Sequence, residues 1–137
     1  MIEEALLVLA KAHSGLTALI GSGNDIRFYP ETEEREHAAP RVVYANEDQD
    51  PIAGIWSDSG WYHTIFSFTA WGSSALAAKE VIDQVRDCFQ RYHSNGAVVS
   101  GTSHKIDDVL GRAVMDAGYD HDIGQFWEAI ELEFFHD

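Results

Sequence analysis

The alternation of apolar and polar residues predicts a long strand near the middle of the chain. Residues 61–71 read WYHTIFSFTAW, and their Tyr, Phe, Ile, Thr and Trp content is typical of a pleated strand. Successive side chains of a strand point to opposite faces, and neither face of this run is charged throughout. We therefore predict a central strand with one face under a helix and the other face partly wet.

A helix is predicted directly after this strand, over residues 73–92. Its apolar residues recur at steps of three and four and form one stripe: Ala78, Val81, Ile82, Val85, Phe89 and Tyr92. Ser73 or Ser74 is placed to cap the first amides, and Ser94-Asn95-Gly96 is a suitable end.

The remaining pattern is less regular. It predicts a helix over 2–12, a helical turn at 16–20, and strands at 26–30, 40–45, 97–100 and Gln125–His136. Residues 31–39 and 48–60 are expected to be loops, and 107–118 is ambiguous between a loop and a helical turn. The fold class is α+β: an antiparallel or mixed sheet of four to five strands, one long amphipathic helix on one face and a short N-terminal helix. Residues 1–137 are predicted to form one domain.

The charge balance narrows the function classes. With 23 acidic and 9 basic residues the formal net charge is −14, which argues against a general nucleic-acid binder. Such acidity keeps a protein soluble and repels polyanions. A role in solubility alone and a functional role for the negative surface both remain open.

The sequence predicts a soluble protein made without export. Glu3 and Glu4 stand where a signal peptide carries basic residues, and Lys11 cuts the apolar run short. Cys88 is the single cysteine, so no intrachain disulfide is expected. It lies in the predicted helix without a basic partner to activate it, which predicts a buried thiol and not a nucleophile.

Candidate metal chemistry is weak. The densest group of potential ligands is Asp116, Asp120, His121 and Asp122. Asp120, Asp122 and Glu131 match the first, third and twelfth positions of a calcium loop, but Gln125 replaces the glycine required at the sixth. We predict a solvated turn, with no metal and no cofactor.

Catalytic motifs are absent as well. No nucleophile elbow surrounds a serine, and GSGND at 21–25 lacks the lysine of a phosphate loop. Acid–base hydrolysis by paired carboxylates stays open because pairing in space is not visible in a sequence. We predict that the protein is not an enzyme.

Several large apolar residues are candidates for contact with another subunit. Ile52, Ile55 and Trp56 make the middle of the 48–60 segment unusually apolar for a loop. Either they fold back on their own core or they are presented to a neighbour, where a large aromatic is a typical anchor. Trp61 and Trp71 of the long strand complete the predicted interface.

The order of features along the chain resembles one protein family. An acidic-capped helix is followed by an Arg-aromatic-Tyr-Pro strand (Arg27 to Pro30), a Pro-Arg-Val-Val-Tyr strand (Pro40 to Tyr44), the long strand, a helix with a Val-Arg-Asp-Cys-Phe run (Val85 to Phe89) and a Tyr-Asp turn before the last strand. This progression is similar to the tail-completion, or tail-terminator, family of long-tailed bacteriophages and prophages. The segments 48–60 and 107–118 depart from it.

The resemblance implies structural work and no catalytic residues. Members assemble as a hexameric ring on the last ring of the tail tube, stop tube growth and form the surface that docks to the filled head. The implied partners are further copies of the chain, the tail tube protein and a head-completion or connector protein, with DNA only passing through the lumen and no membrane. The implied location is the tail–neck junction of the virion, and the host cytoplasm during assembly.

Two other readings remain. The chain is also compatible with another neck component, such as a head-closure or connector protein. From a different class, a small-ligand binding module or an enzyme of α+β fold would have a similar size and composition.

Overall fold

Along the chain, one long β-hairpin precedes the longest helix and a second long β-hairpin follows it. The computed structural model describes residues 2–33, 38–53 and 58–137. Within them the helices and strands are α1 (Glu3–Ala12), α2 (Ser14–Ile20), β1 (Phe28–Pro30), β2 (Arg41–Ala53), β3 (Asp58–Gly72), α3 (Ala75–Phe89), β4 (Ile106–Asp120) and β5 (Gln125–His136).

The strands form one mixed five-stranded sheet in the order β1-β2-β3-β5-β4. Only the short β1 runs parallel to its neighbour, whereas β2–β3, β3–β5 and β4–β5 are antiparallel. The predicted α+β class is confirmed, with the predicted long strand at the centre of the sheet.

The central strand has the two different faces that its sequence predicts. Thr64, Phe66, Phe68 and Ala70 are all fully buried on one side. The side chains between them, from Trp61 to Trp71, are half-buried on the other side. The helices pack on the first side, because the core joins this face to apolar residues of α1, α2 and α3.

Helix α3 begins with the cap that the sequence offers. The Ser74 hydroxyl accepts a hydrogen bond from the Ala77 N–H at 3.0 Å, which satisfies one amide of the first turn. The link from β3 is very close, since a Cβ on Gly72 would lie 2.7 Å from the Ala78 nitrogen. The helix ends at Phe89, three residues before the predicted end at Tyr92.

Aromatic residues fill the space between helix and sheet. Phe68 stacks on Phe89 with ring centroids 5.2 Å apart, and Phe66 meets Phe134 edge-on at 5.4 Å. Such pairs add to the free energy of simple apolar burial. The core is therefore centred where β3 and β5 lie beneath α3.

His13 connects the N-terminal helices to α3. Its Nδ1 accepts the Leu16 N–H at 3.1 Å and so caps α2. Its Nε2 lies 3.0 Å from the Asp87 carboxylate on α3. His13 is therefore a capping residue that also ties α2 to α3.

The predicted loop at 48–60 is wrong over most of its length. Strand β2 continues to Ala53 and β3 begins at Asp58, and the two remain paired from Asp48–Ile65 to Ile52–Trp61. A register shift between Asn46 and Asp48 interrupts the alternation, which explains why the sequence pattern breaks there.

Two further segments differ from expectation. Residues 97–100 form an irregular segment and not a strand, while 107–118 belongs to the long strand β4. A second register shift, between Gly111 and Met115, hides the strand from a period-two pattern. In the described ranges no helix has both the length and the apolarity needed to cross a membrane.

Candidate interaction surface

The face of the sheet opposite α1, α2 and α3 is covered by none of these helices, and the short 3-10 helix Glu31–Glu33 lies beside its β2 side. We call this face of the sheet the bare face. Its members alternate with core residues along each strand: Arg41, Val43 and Ala45 of β2, Trp61, His63, Ile65, Ser67, Thr69 and Trp71 of β3, Trp127, Ala129, Glu131, Glu133 and Phe135 of β5, and Leu110 of β4.

Tryptophans concentrate on this face. Trp71 and Trp127 stand directly opposite each other in the β3–β5 register, and Trp61 lies at the far end of the same strand face. All three are half-buried. Trp61 and Trp71 therefore share one face of the sheet, while their contact with a partner stays a prediction.

Arg41 packs against the Trp71 indole. Its guanidinium carbon lies 4.8 Å from the centre of the Trp71 ring, and its Nη1 donates to the Gln125 side-chain oxygen. Only 3% of Arg41 is exposed. The Trp71 Nε1–H is buried and has no hydrogen-bond partner among the described residues.

The other half of the bare face carries a charge network. Arg112 lies 3.1 Å from the Glu131 carboxylate and 3.0 Å from that of Glu133. His63 lies 3.3 Å from the second oxygen of Glu133. Since all of these side chains are partly exposed, the network orients the groups more than it stabilises the fold.

A shallow cleft opens beside Trp71 at the β2 side of the bare face. It has a volume of about 240 Å³ and is lined by the aromatic ring, by β-strand residues and by Glu31 and Glu47. Glu47 accepts a hydrogen bond from the Ser67 hydroxyl at 2.6 Å. The cleft therefore combines an apolar floor with acidic walls.

The remaining predicted interface residues have different outcomes. Ile52 is paired with Trp61 through the backbone register of β2 and β3. Ile55 and Trp56 lie outside the described residues. Trp127 was missed by the sequence reasoning, although its position on the polar side of the β5 alternation, beside Glu131 and Glu133, is a signal that could have found it.

The structure also bears on the weaker chemical candidates. Asp120 Oδ1 accepts the Asp122 N–H at 2.9 Å and the Ile123 N–H at 3.4 Å, so this acidic run is a turn as predicted. Over the described ranges no group of three or more potential metal ligands comes together. Cys88 is buried, as predicted, and burial raises the pKa of its thiol to about 12, which disfavours the reactive thiolate.

Comparison with known proteins places the fold. No protein-family model matches the sequence, and no curated protein matches it either. Among solved structures, a chain of the "Virion of native gene transfer agent (GTA) particle" matches with a TM-score of 0.65 and 14% sequence identity, over 98% of this chain and 93% of that chain. The chain therefore shares its fold, nearly from end to end, with a chain of a gene transfer agent virion.

Proposed function

We propose that the protein is a structural virion component of the tail-terminator kind. In this role it caps the phage tail tube, ends tail polymerisation and provides the surface for head–tail joining. The observation that carries the proposal is the shared fold over 98% of the chain with a chain of a gene transfer agent virion. The order of sequence features described above supports the same role independently.

The bare face supports a role in assembly. Large half-buried aromatics on one face, rimmed by charge, are typical of protein–protein contact surfaces. The buried Trp71 N–H has no acceptor among the described residues, and a neighbouring chain would offset that cost by supplying one. Trp61, Trp71 and Trp127 are the proposed anchors, together with Ile52, Ile55 and Trp56.

A ring would use the bare face as one of the two contact surfaces of each copy. A closed ring needs a head-to-tail contact in which one patch meets a different patch on the next copy. We propose a ring-shaped homo-oligomer, with six copies by the family resemblance, that stacks on the tail tube protein and meets a head-completion or connector protein. The protein then resides at the tail–neck junction. Where acidic residues of this chain, whose net charge is −14, line the lumen, they would repel the passing DNA and not hold it.

Electron microscopy of particles assembled without the protein tests the role. A terminator leaves tails that grow beyond their normal length, because nothing stops tube polymerisation. Tails of normal length that are detached from heads would instead assign the chain to the head side of the neck, as a head-closure component. Normal particles in its absence would contradict both roles.

A further inference from the structure

A second cleft lies on the helix side of the sheet, where α1 begins and β5 ends. We call it the strand-end cleft. Its volume is about 220 Å³, and most of its lining residues carry a polar group, with Ile2 and the Tyr62 ring supplying apolar surface: Ile2, Glu3, Asn46, Gln49, Tyr62, His104, His136 and Asp137. The proposed function makes no use of these residues.

The register shift in β2 builds one wall of this cleft. Because one extra residue stands between Asn46 and Asp48, both Asn46 and Gln49 fall on the helix side of the sheet. The two amides are joined by a hydrogen bond of 3.4 Å from Asn46 Nδ2 to Gln49 Oε1. On the same side of β3, Phe66 is followed toward the strand start by Thr64 and Tyr62. The apolar core therefore ends here, next to the cleft.

His136 forms a neutral wall. Its Nδ1 lies 2.9 Å from the Asp137 carbonyl oxygen, which only accepts, so Nδ1 carries the proton. Its Nε2 then accepts from the Thr64 hydroxyl at 2.6 Å. Tyr62 stacks on the imidazole with ring centroids 5.9 Å apart. Both nitrogens are therefore occupied, and the ring supplies no charge to the cleft.

The carboxylates of Glu3 and Asp137 give the cleft a negative charge. Glu3 Oε2 is buried and has no hydrogen-bond partner within the described residues. Asp137 Oδ1 accepts the Lys105 N–H at 2.7 Å and lies 4.0 Å from His104 Nδ1. A buried carboxylate oxygen without a donor is costly, so a positively charged ligand with N–H groups would relieve it.

We propose that the strand-end cleft binds the guanidinium group of an arginine side chain from a partner protein. A guanidinium offers a planar set of N–H donors to a carboxylate and also packs flat against an aromatic ring, whereas an ammonium group does the second poorly. Glu3 supplies the carboxylate, Tyr62 the ring, and the Asn46 carbonyl oxygen a further acceptor. This assignment does not depend on the tail-terminator role.

The test is a titration of the whole protein with Nα-acetyl-arginine amide, followed by the NMR signals of the Tyr62 and His136 rings. We expect saturable shifts of both rings. The neutral isostere Nα-acetyl-citrulline amide should bind at least about ten-fold more weakly, because it loses at least one charge-assisted hydrogen bond. Equal binding of the two compounds would overturn the proposal, as would the absence of shifts at either ring.

A variant locates the contact. Glu3→Gln should weaken binding of the arginine compound about ten-fold, whereas the matched change Glu4→Gln, at the exposed neighbouring position, should leave it unchanged. Binding that is unaffected by Glu3→Gln contradicts the assignment, and if that variant fails to fold the citrulline comparison on the natural chain decides. Much tighter binding of agmatine than of the arginine compound would reject a protein side chain as the ligand.

Discussion

Thr64 is a polar residue on the otherwise apolar inner face of β3, and it is fully buried. Its hydroxyl donates to His136, which stands 72 residues later in the chain. A sequence pattern places Thr64 on the inner face because of the period of two, yet it cannot reveal a partner so distant. For such residues the sequence predicts the burial of the side chain but not its hydrogen-bond partner.

We predict that Thr64→Val lowers the free energy of unfolding by about 1–3 kcal/mol, because it leaves His136 Nε2 buried without a donor. Urea unfolding followed by circular dichroism measures the change. The control is Thr69→Val on the bare face of the same strand, where the loss should be smaller. Equal effects of the two substitutions would show that the Thr64 hydroxyl bond contributes little.

The pH dependence of His136 follows from its burial. Burial of the ring lowers the pKa of His136 below the ordinary 6.5, opposed by its hydrogen bond to Asp137. The unfolded chain therefore takes up a proton near pH 6.5 while the folded chain does not. We expect the contribution of His136 to stability to decrease as pH falls from about 6.5 through its folded pKa.

An NMR titration checks this directly. The His136 ring signal should change below pH 6.5 in the folded protein, and near 6.5 in the urea-unfolded protein. Coincident titrations in the two states would contradict the burial argument.

Cys88 is expected to be inert in the folded chain. With a pKa of about 12 against the ordinary 9.0, the thiolate fraction at pH 8 falls by about a thousand-fold. Modification by iodoacetamide at pH 8 should therefore be slower by about that factor in the folded protein than in the unfolded protein. Mass spectrometry of the alkylated chain gives both rates, and similar rates would refute the prediction.

At the scale of elements, the sequence predicted best where one regular period runs through a whole segment. Strand β5 was placed at its observed limits, and α3 within a few residues. The far half of β2 and most of β4 were missed, because each contains a register shift and residues such as Asp50 and Gly111 that are depleted in strands. Pairing with distant strands overrides that local preference.

The link between β3 and α3 gives a prediction at this scale. Gly72→Ala should destabilise the fold by about 1–3 kcal/mol, because the new methyl group would meet the backbone of α3 at 2.7 Å and push the helix from the sheet.

The matched control for this change is Gly111→Ala in β4. There the nearest atom, at 2.9 Å, is the end of the flexible Gln90 side chain, which can move aside. We expect a change below about 1 kcal/mol in the same urea unfolding experiment. A Gly72 variant as stable as the Gly111 variant would mean that the helix can shift at little cost.

For the whole molecule, the sheet buries one face under helices and leaves the other, which we propose as the contact with a neighbour, only half-buried. The sequence indicated this division through the two unlike sides of β3, and it indicated Trp61 and Trp71 as contact residues. It did not reveal that β5 and β4 extend the same surface, because that follows from the strand order and not from any local pattern.

The bare face can be tested without disturbing the core. Ala129 stands in its middle, between Thr69 of β3 and Asp116 of β4. We predict that Ala129→Arg keeps the thermal unfolding midpoint within a few degrees but yields overlong tails in assembled particles, because the new charged side chain blocks docking.

Leu76→Arg provides the control, since Leu76 lies on α3 with 65% of its surface exposed and away from the bare face. It should leave tail length unchanged. Normal tails with Ala129→Arg, or equally overlong tails with both variants, would exclude the bare face as the functional contact.

The placement of the tryptophans has a spectroscopic consequence. Trp61, Trp71 and Trp127, which are the tryptophans within the described ranges, all lie on the bare face, and two of them are direct cross-strand neighbours. Intrinsic fluorescence and the near-ultraviolet dichroism of coupled indoles therefore originate largely from that surface. If a neighbour docks there as we propose, the emission should shift toward the blue, and this shift would report assembly without an attached dye.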